Sequence, residues 1–209
     1  NIPRDTMCNN TATGASKKIN AAYGMDTGGK GGNIEQTSKE IERLMGFRPD
    51  KYVIVNFDGI AAIVDAIGGV DYDVPFDMKY DDPSQNLHID LKKGQQHLDG
   101  KQTVGFLRWR HNNDYTVQYT NGDEGRVENQ QKFLKALAGQ VLQIKNVTKI
   151  RSIAEAVFKN VKTDFSAGEL LWMGMQAMKI DNSSIQFFTL PGYGKMSTAG
   201  TSVQYSFFF

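Results

Sequence analysis

The run from Tyr52 to Val74 constrains this chain more than any other feature, because it reads as strand, helix and strand within about 25 residues. Tyr52-Val53-Ile54-Val55-Asn56-Phe57 is almost unbroken in apolar and β-branched residues, the pattern of a buried strand. Asp58 then stands where a helix cap is expected, before a helix with Ile60, Ile63, Val64 and Ile67 on one face. Gly68-Gly69 ends that helix. Val70-Asp71-Tyr72-Asp73-Val74 alternates as a half-buried strand, and Pro75 closes it. Elements of this kind can bury their apolar sides only against one another, so the run is an α/β signature.

The flanking sequence fits one sizeable domain of 209 residues with no evident linker. Thr37-Ser38-Lys39-Glu40 has the pattern of a capping box, and opens a helix with Ile41, Leu44 and Met45 on its apolar face and Gly46 as its stop. Residues 76–102 are turn-rich, with Ile89 and Leu91 in a short extended piece and Leu98-Asp99-Gly100 in a turn. Helices are expected over roughly 149–159 and 167–179, the second opened by Ser166 and Glu169. Ile185 to Leu190 reads as a last strand and Pro191-Gly192 as a turn. There is no internal repeat and no low-complexity segment.

Thr103-Val104-Gly105-Phe106-Leu107 is rich in strand-forming residues and leads into Arg108-Trp109-Arg110. On a strand, residues two apart share a face, so both guanidiniums would project together. Paired arginines suit multiply charged planar anions, above all phosphates. The alternative is a solvated face paired with Asp114, Asp123 or Glu128. A second element bears on the choice. Gly125 to Leu134 reads as a loop opening a helix, with Phe133, Leu134, Leu137 and Val141 as its apolar stripe. Tracing that stripe back by turns of four reaches Gln130 and Arg126. An inward arginine near a helix N-terminus packs poorly but holds an anion well.

The formal net charge is +1, so bulk electrostatics gives no support to a nucleic-acid binder, and an anion site must be local. The single cysteine, Cys8, excludes an intrachain disulfide and a thiolate cluster. His88, His97 and His111 lack metal-ligand spacing. There is no Gly-x-Ser-x-Gly elbow, and Cys8 has no evident base partner. The five glycines between Gly24 and Gly32 do not fit a phosphate-loop pattern, since Gly31 follows Lys30, and read as a surface loop. Asp81-Asp82 reads as a solvated pair in a turn. No stretch reaches the roughly 18–20 apolar residues of a membrane helix. Near the start, Arg4, Asp5, Lys17 and Lys18 add charged groups that could join Arg108, Arg110 and Arg126 around one anion.

Pro3-Arg4-Asp5-Thr6, Lys18-Ile19-Asn20-Ala21-Ala22-Tyr23, Val55-Asn56-Phe57-Asp58-Gly59, Ile67-Gly68-Gly69-Val70, Gln96-His97-Leu98-Asp99-Gly100, Arg108-Trp109-Arg110, and Gly125-Arg126 with Gln130-Gln131 occur in an order and spacing that resembles LytR-CpsA-Psr domains. The resemblance extends over essentially the whole chain, to Leu190-Pro191-Gly192. It implies one catalytic domain over residues 1–209. The fold would be a mixed central sheet flanked by helices on both faces, with an apolar channel for a lipid. It also implies a phosphotransferase that moves an anionic or capsular glycopolymer, such as teichoic acid, from a polyprenyl-pyrophosphate carrier to peptidoglycan. Such proteins work on the extracytoplasmic face of a bacterial membrane, usually behind an N-terminal membrane helix.

By the same resemblance Arg4, Lys18, Arg108, Arg110, Arg126 and Gln130 would bind the pyrophosphate. Arg108, Arg110 and Asp5 would act in catalysis, with Asp5 orienting Arg4 or accepting a proton. Magnesium is implied as cofactor, its aspartate ligands lying upstream of Pro3 and outside this sequence. Two departures stand out: a longer loop between Arg110 and Arg126, and Asn129 where the family carries a basic residue. A pyrophosphatase acting on the same carrier and a non-catalytic binder of lipid-linked glycan are the rival functions.

Overall fold

The structure is a computed structural model that describes residues 1–8, 18–24, 32–141, 150–177, 179–181, 184–186, 188–199 and 202–208. It forms two compact units, one from Asn1–Lys51 with Phe187–Phe209 and the other from Tyr52–Gln186.

In the first unit a tight turn starts the chain. The Thr6 main-chain N–H and hydroxyl both donate to the Pro3 carbonyl, at 3.0 and 2.6 Å. The Ile19 and Asn20 N–H groups donate to the carbonyls of Thr6 and Arg4 at the start of helix α1 (Ile19–Gly24). Helix α2 (Ile34–Met45) starts a turn earlier than expected. Asn33 is the cap, accepting from the Gln36 N–H at 2.9 Å, while the Thr37 hydroxyl donates to the Asn33 carbonyl. Gly46 stops the helix in a left-handed conformation, φ 75°, as expected.

The second unit opens with β1 (Val53–Val55), paired antiparallel with β6 (Val161–Thr163). The expected six-residue buried strand is neither so long nor buried: Val53 and Val55 are 48% and 38% exposed. Asn56 explains the shortening. Its side chain accepts from the Gly59 N–H at 2.8 Å and starts α3 (Phe57–Ile67), so Asn56 rather than Asp58 is the cap and Phe57 is helical. Gly68 and Gly69, with φ of 90° and 95°, turn the chain into β2 (Val70–Val74). β2 pairs antiparallel with β5 (Gly94–Leu98). Between them β3 (Met78–Asp82) and β4 (Leu87–Leu91) form a hairpin closed by a single 3-10 turn at Pro83–Gln85.

Residues 103–107 are not a strand. They lie within α4 (Gly100–Arg108), opened by a reciprocal capping box between Asp99 and Gln102. Thr103, Phe106 and Leu107 are buried at helical spacing. Gly100 lies so close to α3 that a Cβ there would be 2.4 Å from the Ala61 carbonyl oxygen. Capping and packing outweigh the strand propensity of Thr103 and Val104. Helices α5 (Gly122–Val141), α6 (Ile150–Asn160) and α7 (Ala167–Ala177) follow. Ser166 and Glu169 exchange the two expected capping bonds at the start of α7, at 2.7 and 3.2 Å.

The core of this unit joins Val64 and Ile67 of α3, Val70 and Val74 of β2, Met78, Leu91 and Leu98 of the strands, and Phe106, Trp109 and Phe133. Tyr72, Phe106 and Phe133 meet with centroids 5.0 to 5.4 Å apart.

A last hairpin, β7 (Tyr193–Ala199) with β8 (Ser202–Phe208), belongs to the first unit. It was not anticipated, and the strand expected over Ile185–Leu190 is absent from that stretch's described residues. There the Leu190 N–H donates to the Asn1 carbonyl, the Asn1 amino group donates to the Phe188 carbonyl, and Phe188 is 70% exposed. The α/β class holds. The described strands pair as four antiparallel ladders, β1–β6, β2–β5, β3–β4 and β7–β8, instead of one continuous mixed sheet. For β3–β4 and β7–β8 short connections join consecutive strands, which antiparallel pairing permits and parallel pairing does not.

Candidate anion site

The site grows out of the end of α4. Trp109 leaves the helix in an extended conformation, φ −62° and ψ 139°. Its ring is buried beside Phe76 and Tyr119, and its Nε1 donates to the Asn112 side chain at 3.1 Å. This anchored residue separates Arg108, the last of the helix, from Arg110 on the extended segment. Both line one cavity of about 400 Å³, together with Phe57, Tyr80, Gln85, Leu87, His111 and Arg126. The two arginines therefore meet as expected, but across a helix end rather than along a strand.

Each guanidinium has a different setting. Arg108 donates from Nη2 to Gln85 Oε1 at 2.7 Å, and its Cζ lies 5.6 Å from the Phe57 ring centroid. Gln85 in turn donates to the Asp82 carboxylate. The Ser84 hydroxyl donates to the same carboxylate, and the hydrogen bonds from Ser84 and Gln85 hold it below its usual range. Arg110 is exposed and has no side-chain partner among the described residues. Arg126 is only 17% exposed in its side chain; Nη2 donates to Asp123, while the buried Nε has no hydrogen-bond partner.

The carboxylates expected as partners of the first two arginines are committed elsewhere. Asp114 accepts from the Thr116 N–H and hydroxyl, which hold its carboxyl below the usual range. Asp123 pairs with Arg126, and Glu128 pairs with Lys132 at 2.7 Å. Neither Arg108 nor Arg110 pairs with any of these three carboxylates. Three guanidiniums with a single carboxylate partner among the described residues leave positive charge that an anion would offset. Gln130 adds a strut, donating from Nε2 to the Leu107 carbonyl at 2.9 Å. Asn129 bonds back to the Gly125 carbonyl within its own helix.

Arg4, Asp5 and Lys18 belong to the first unit. Lys18 is buried and lies 3.2 Å from Asp5, which also accepts from Asn20 at 3.5 Å. Asp5 thus pairs with Lys18 rather than orienting Arg4, which is exposed. Lys17 and residues 25–31 of the glycine loop lie outside the described residues. Asp81 is exposed, as expected, and pairs with His88 at the surface.

Sequence reasoning missed Gln85, Asp82 and His111. Their signals were present: Pro83-Ser84-Gln85-Asn86 has the form of a tight turn, with Asn86 left-handed at φ 48°, and His111 adjoins Arg110. Among the described residues no group of three or more His, Cys, Asp or Glu side chains is placed to hold a metal ion. No helix among them is long and apolar enough to cross a membrane.

The fold is of the α/β class, and this cavity is lined by three arginines. The chain is a member of the LytR_cpsA_psr family, whose profile matches residues 1–207. It is 36% identical over 192 residues to polyisoprenyl-teichoic acid–peptidoglycan teichoic acid transferase TagV of Bacillus subtilis, covering 88% of this chain and 46% of that protein. It is 28% identical over 176 residues to regulatory protein MsrR of Staphylococcus aureus, covering 83% of this chain and 48% of that protein. The chain thus spans about half the length of these curated relatives. Its fold superposes on the crystal structure of B. subtilis TagV with a TM-score of 0.75 at 31% identity, covering 98% of this chain and 74% of that one. The LytR-Csp2A-Psr enzyme from Actinomyces oris shares the fold, with a TM-score of 0.72 at 20% identity, covering 92% and 71% of the two chains.

Proposed function

We propose that this chain is the phosphoryl-transfer part of an enzyme that moves a glycopolymer from a polyprenyl-pyrophosphate carrier to peptidoglycan. The observation that carries the reading is the cavity itself. Among the described residues Arg108 and Arg110 line it without a carboxylate partner, and Arg126 lines it with a buried Nε that has no hydrogen-bond partner. A pyrophosphate in the cavity would offset the positive charge of these guanidiniums. The teichoic acid transferase name of the TagV relative supports the substrate class.

In this reading a hydroxyl of peptidoglycan attacks the phosphorus that bears the glycan. The new phosphorus–oxygen bond forms as the pyrophosphate bridge breaks, and polyprenyl phosphate leaves. The arginines neutralise the charge that builds on the phosphate oxygens and the departing group. Gln85 and Phe57 hold Arg108 in place, so little reorganisation is needed as the reaction proceeds. Magnesium dependence belongs to the same proposal, but the described residues do not form a ligand set and no step is assigned to the ion. Arg4 and Lys18 as further head-group ligands, the extracytoplasmic setting, a membrane anchor and an apolar course for the lipid tail are likewise parts of this reading.

Binding of a short polyprenyl pyrophosphate to the wild type and to the Arg108→Ala/Arg110→Ala variant tests it. Loss of saturable binding in the double variant, with an unchanged circular dichroism spectrum, is the expected result. Equal binding in both would overturn the site. Product analysis with and without peptidoglycan separates transfer from plain hydrolysis by a pyrophosphatase, and absence of any bond cleavage would leave a binding module.

A further inference from the structure

We propose that His111 is the general base of this reaction, taking the proton of the acceptor hydroxyl on Nε2. The proposal rests on the reading of the cavity as the pyrophosphate site. His88 and His97 each lie against a carboxylate, Asp81 and Asp71, whereas His111 has no carboxylate partner among the described residues and lines the cavity with Arg108, Arg110 and Arg126.

The tautomer of His111 follows from its hydrogen bond. Nδ1 lies 2.9 Å from the main-chain oxygen of Asn112. A carbonyl oxygen only accepts, so Nδ1 carries the hydrogen and Nε2 of the neutral ring keeps its lone pair. The ring is also held in place. Tyr115 stacks on it at 4.1 Å and 18°, and the Tyr80 ring meets it at 5.7 Å and 84°. The Asn112 N–H donates to the Val117 carbonyl and the Tyr115 N–H to the Asn112 carbonyl, closing the loop that carries both rings. Tyr115 is left-handed there, at φ 58°, a costly conformation for an aromatic residue. The titratable and charged groups around His111 are thus Tyr80 on β3, Tyr115 on its own loop, and the three arginines lining the cavity.

A base in this position completes the step without residue. The acceptor oxygen forms its bond to phosphorus, its proton passes to Nε2, and the electron pair of the broken bridge leaves on polyprenyl phosphate. Imidazolium then gives the proton to solvent.

The test measures kcat, KM and carrier binding across pH for the wild type and His111→Gln, with polyprenyl-pyrophosphate-linked glycan and peptidoglycan. Glutamine keeps the volume and a donor but has no base. The expected result is a fall in kcat of about 10²-fold or more, loss of the acidic limb of the pH–rate profile, and carrier binding within a few-fold of wild type. Imidazole should restore part of the rate to His111→Ala. Retention of kcat and of the acidic limb in His111→Gln would overturn the proposal. So would loss of carrier binding as severe as in Arg110→Ala, which would make His111 a phosphate ligand. Nitrogen-15 NMR of the histidines gives a readout free of turnover: the neutral form should show Nδ1 protonated, and the opposite tautomer would also overturn the assignment. If Arg108→Ala/Arg110→Ala binds carrier normally, the site reading fails. If only His111→Gln behaves as wild type, the base assignment fails alone.

Discussion

The side-chain amide of Gln130 donates to the main-chain carbonyl of Leu107 at 2.9 Å, tying α5 to the last turn of α4. Carbonyls at a helix end lack partners within the helix, so this bond satisfies a group that would otherwise need water. Arg126 lies one turn before Gln130 on α5, and Arg108 is the residue after Leu107 on α4. This hydrogen bond adds to the Phe106–Phe133 contact between the two helices that supply two of the three arginines.

Replacement of Gln130 with Leu should lower stability by about 1–2 kcal/mol, the cost of one lost hydrogen bond and one unsatisfied carbonyl. Carrier binding should fall less than in Arg126→Ala. Urea unfolding and a binding titration check the two effects. An equal loss of binding in both variants would make Gln130 a direct ligand.

Arg126→Lys should keep charge in the cavity but lose the planar fork, so carrier binding should weaken by about tenfold, one charge-assisted hydrogen bond's worth. Its salt dependence should stay near that of the wild type. Titration at two ionic strengths distinguishes loss of geometry from loss of charge.

Gly100→Ala should destabilise the second unit by roughly 1–3 kcal/mol, the usual range for overpacking, because the new Cβ meets main-chain atoms of Ala61 that cannot turn aside. Gly174→Ala in α7 has no atom within 4 Å and should instead stabilise by about 0.5–1 kcal/mol. Thermal denaturation of the pair tests whether close α3–α4 approach is the reason for glycine at 100.

Stability should fall at high pH. Burial, followed by the Asp73 charge, pushes the Tyr72 hydroxyl up to about 12, and burial pushes Tyr119 up as well. Unfolded tyrosines ionise near about 10, so the unfolded state releases these protons first. The contribution is fully present below pH ~10 and is lost as pH rises through the folded values. Tyr72→Phe should flatten the slope of unfolding free energy between pH ~10 and ~12. An unchanged slope would show that Tyr72 is not part of it.

Sequence reading succeeded where the signal was local. Gly46, the Gly68-Gly69 stop, the Ser166–Glu169 box and the alternation of Val70 to Val74 each act within a few residues of their own position. It failed where two local signals competed. Asn56 and Asp58 both suit a cap, and the upstream one took Phe57 from the strand. Asp99 and Gln102 formed a box that overrode the strand propensity of Thr103 and Val104, although that box too was written in the sequence.

The sequence by itself determined that the chain carries an α/β core, that Arg126 and Gln130 share a helix face, and that Arg108 and Arg110 sit close together. These follow from periodicity and spacing along one chain. Only the tertiary structure decided that Arg108 is held by Gln85, 23 residues away, and that Arg126 joins both arginines around one cavity. Those relationships join residues through the packing of α4, α5 and the β3–β4 hairpin. No periodicity encodes them, because each depends on where a separate element comes to rest.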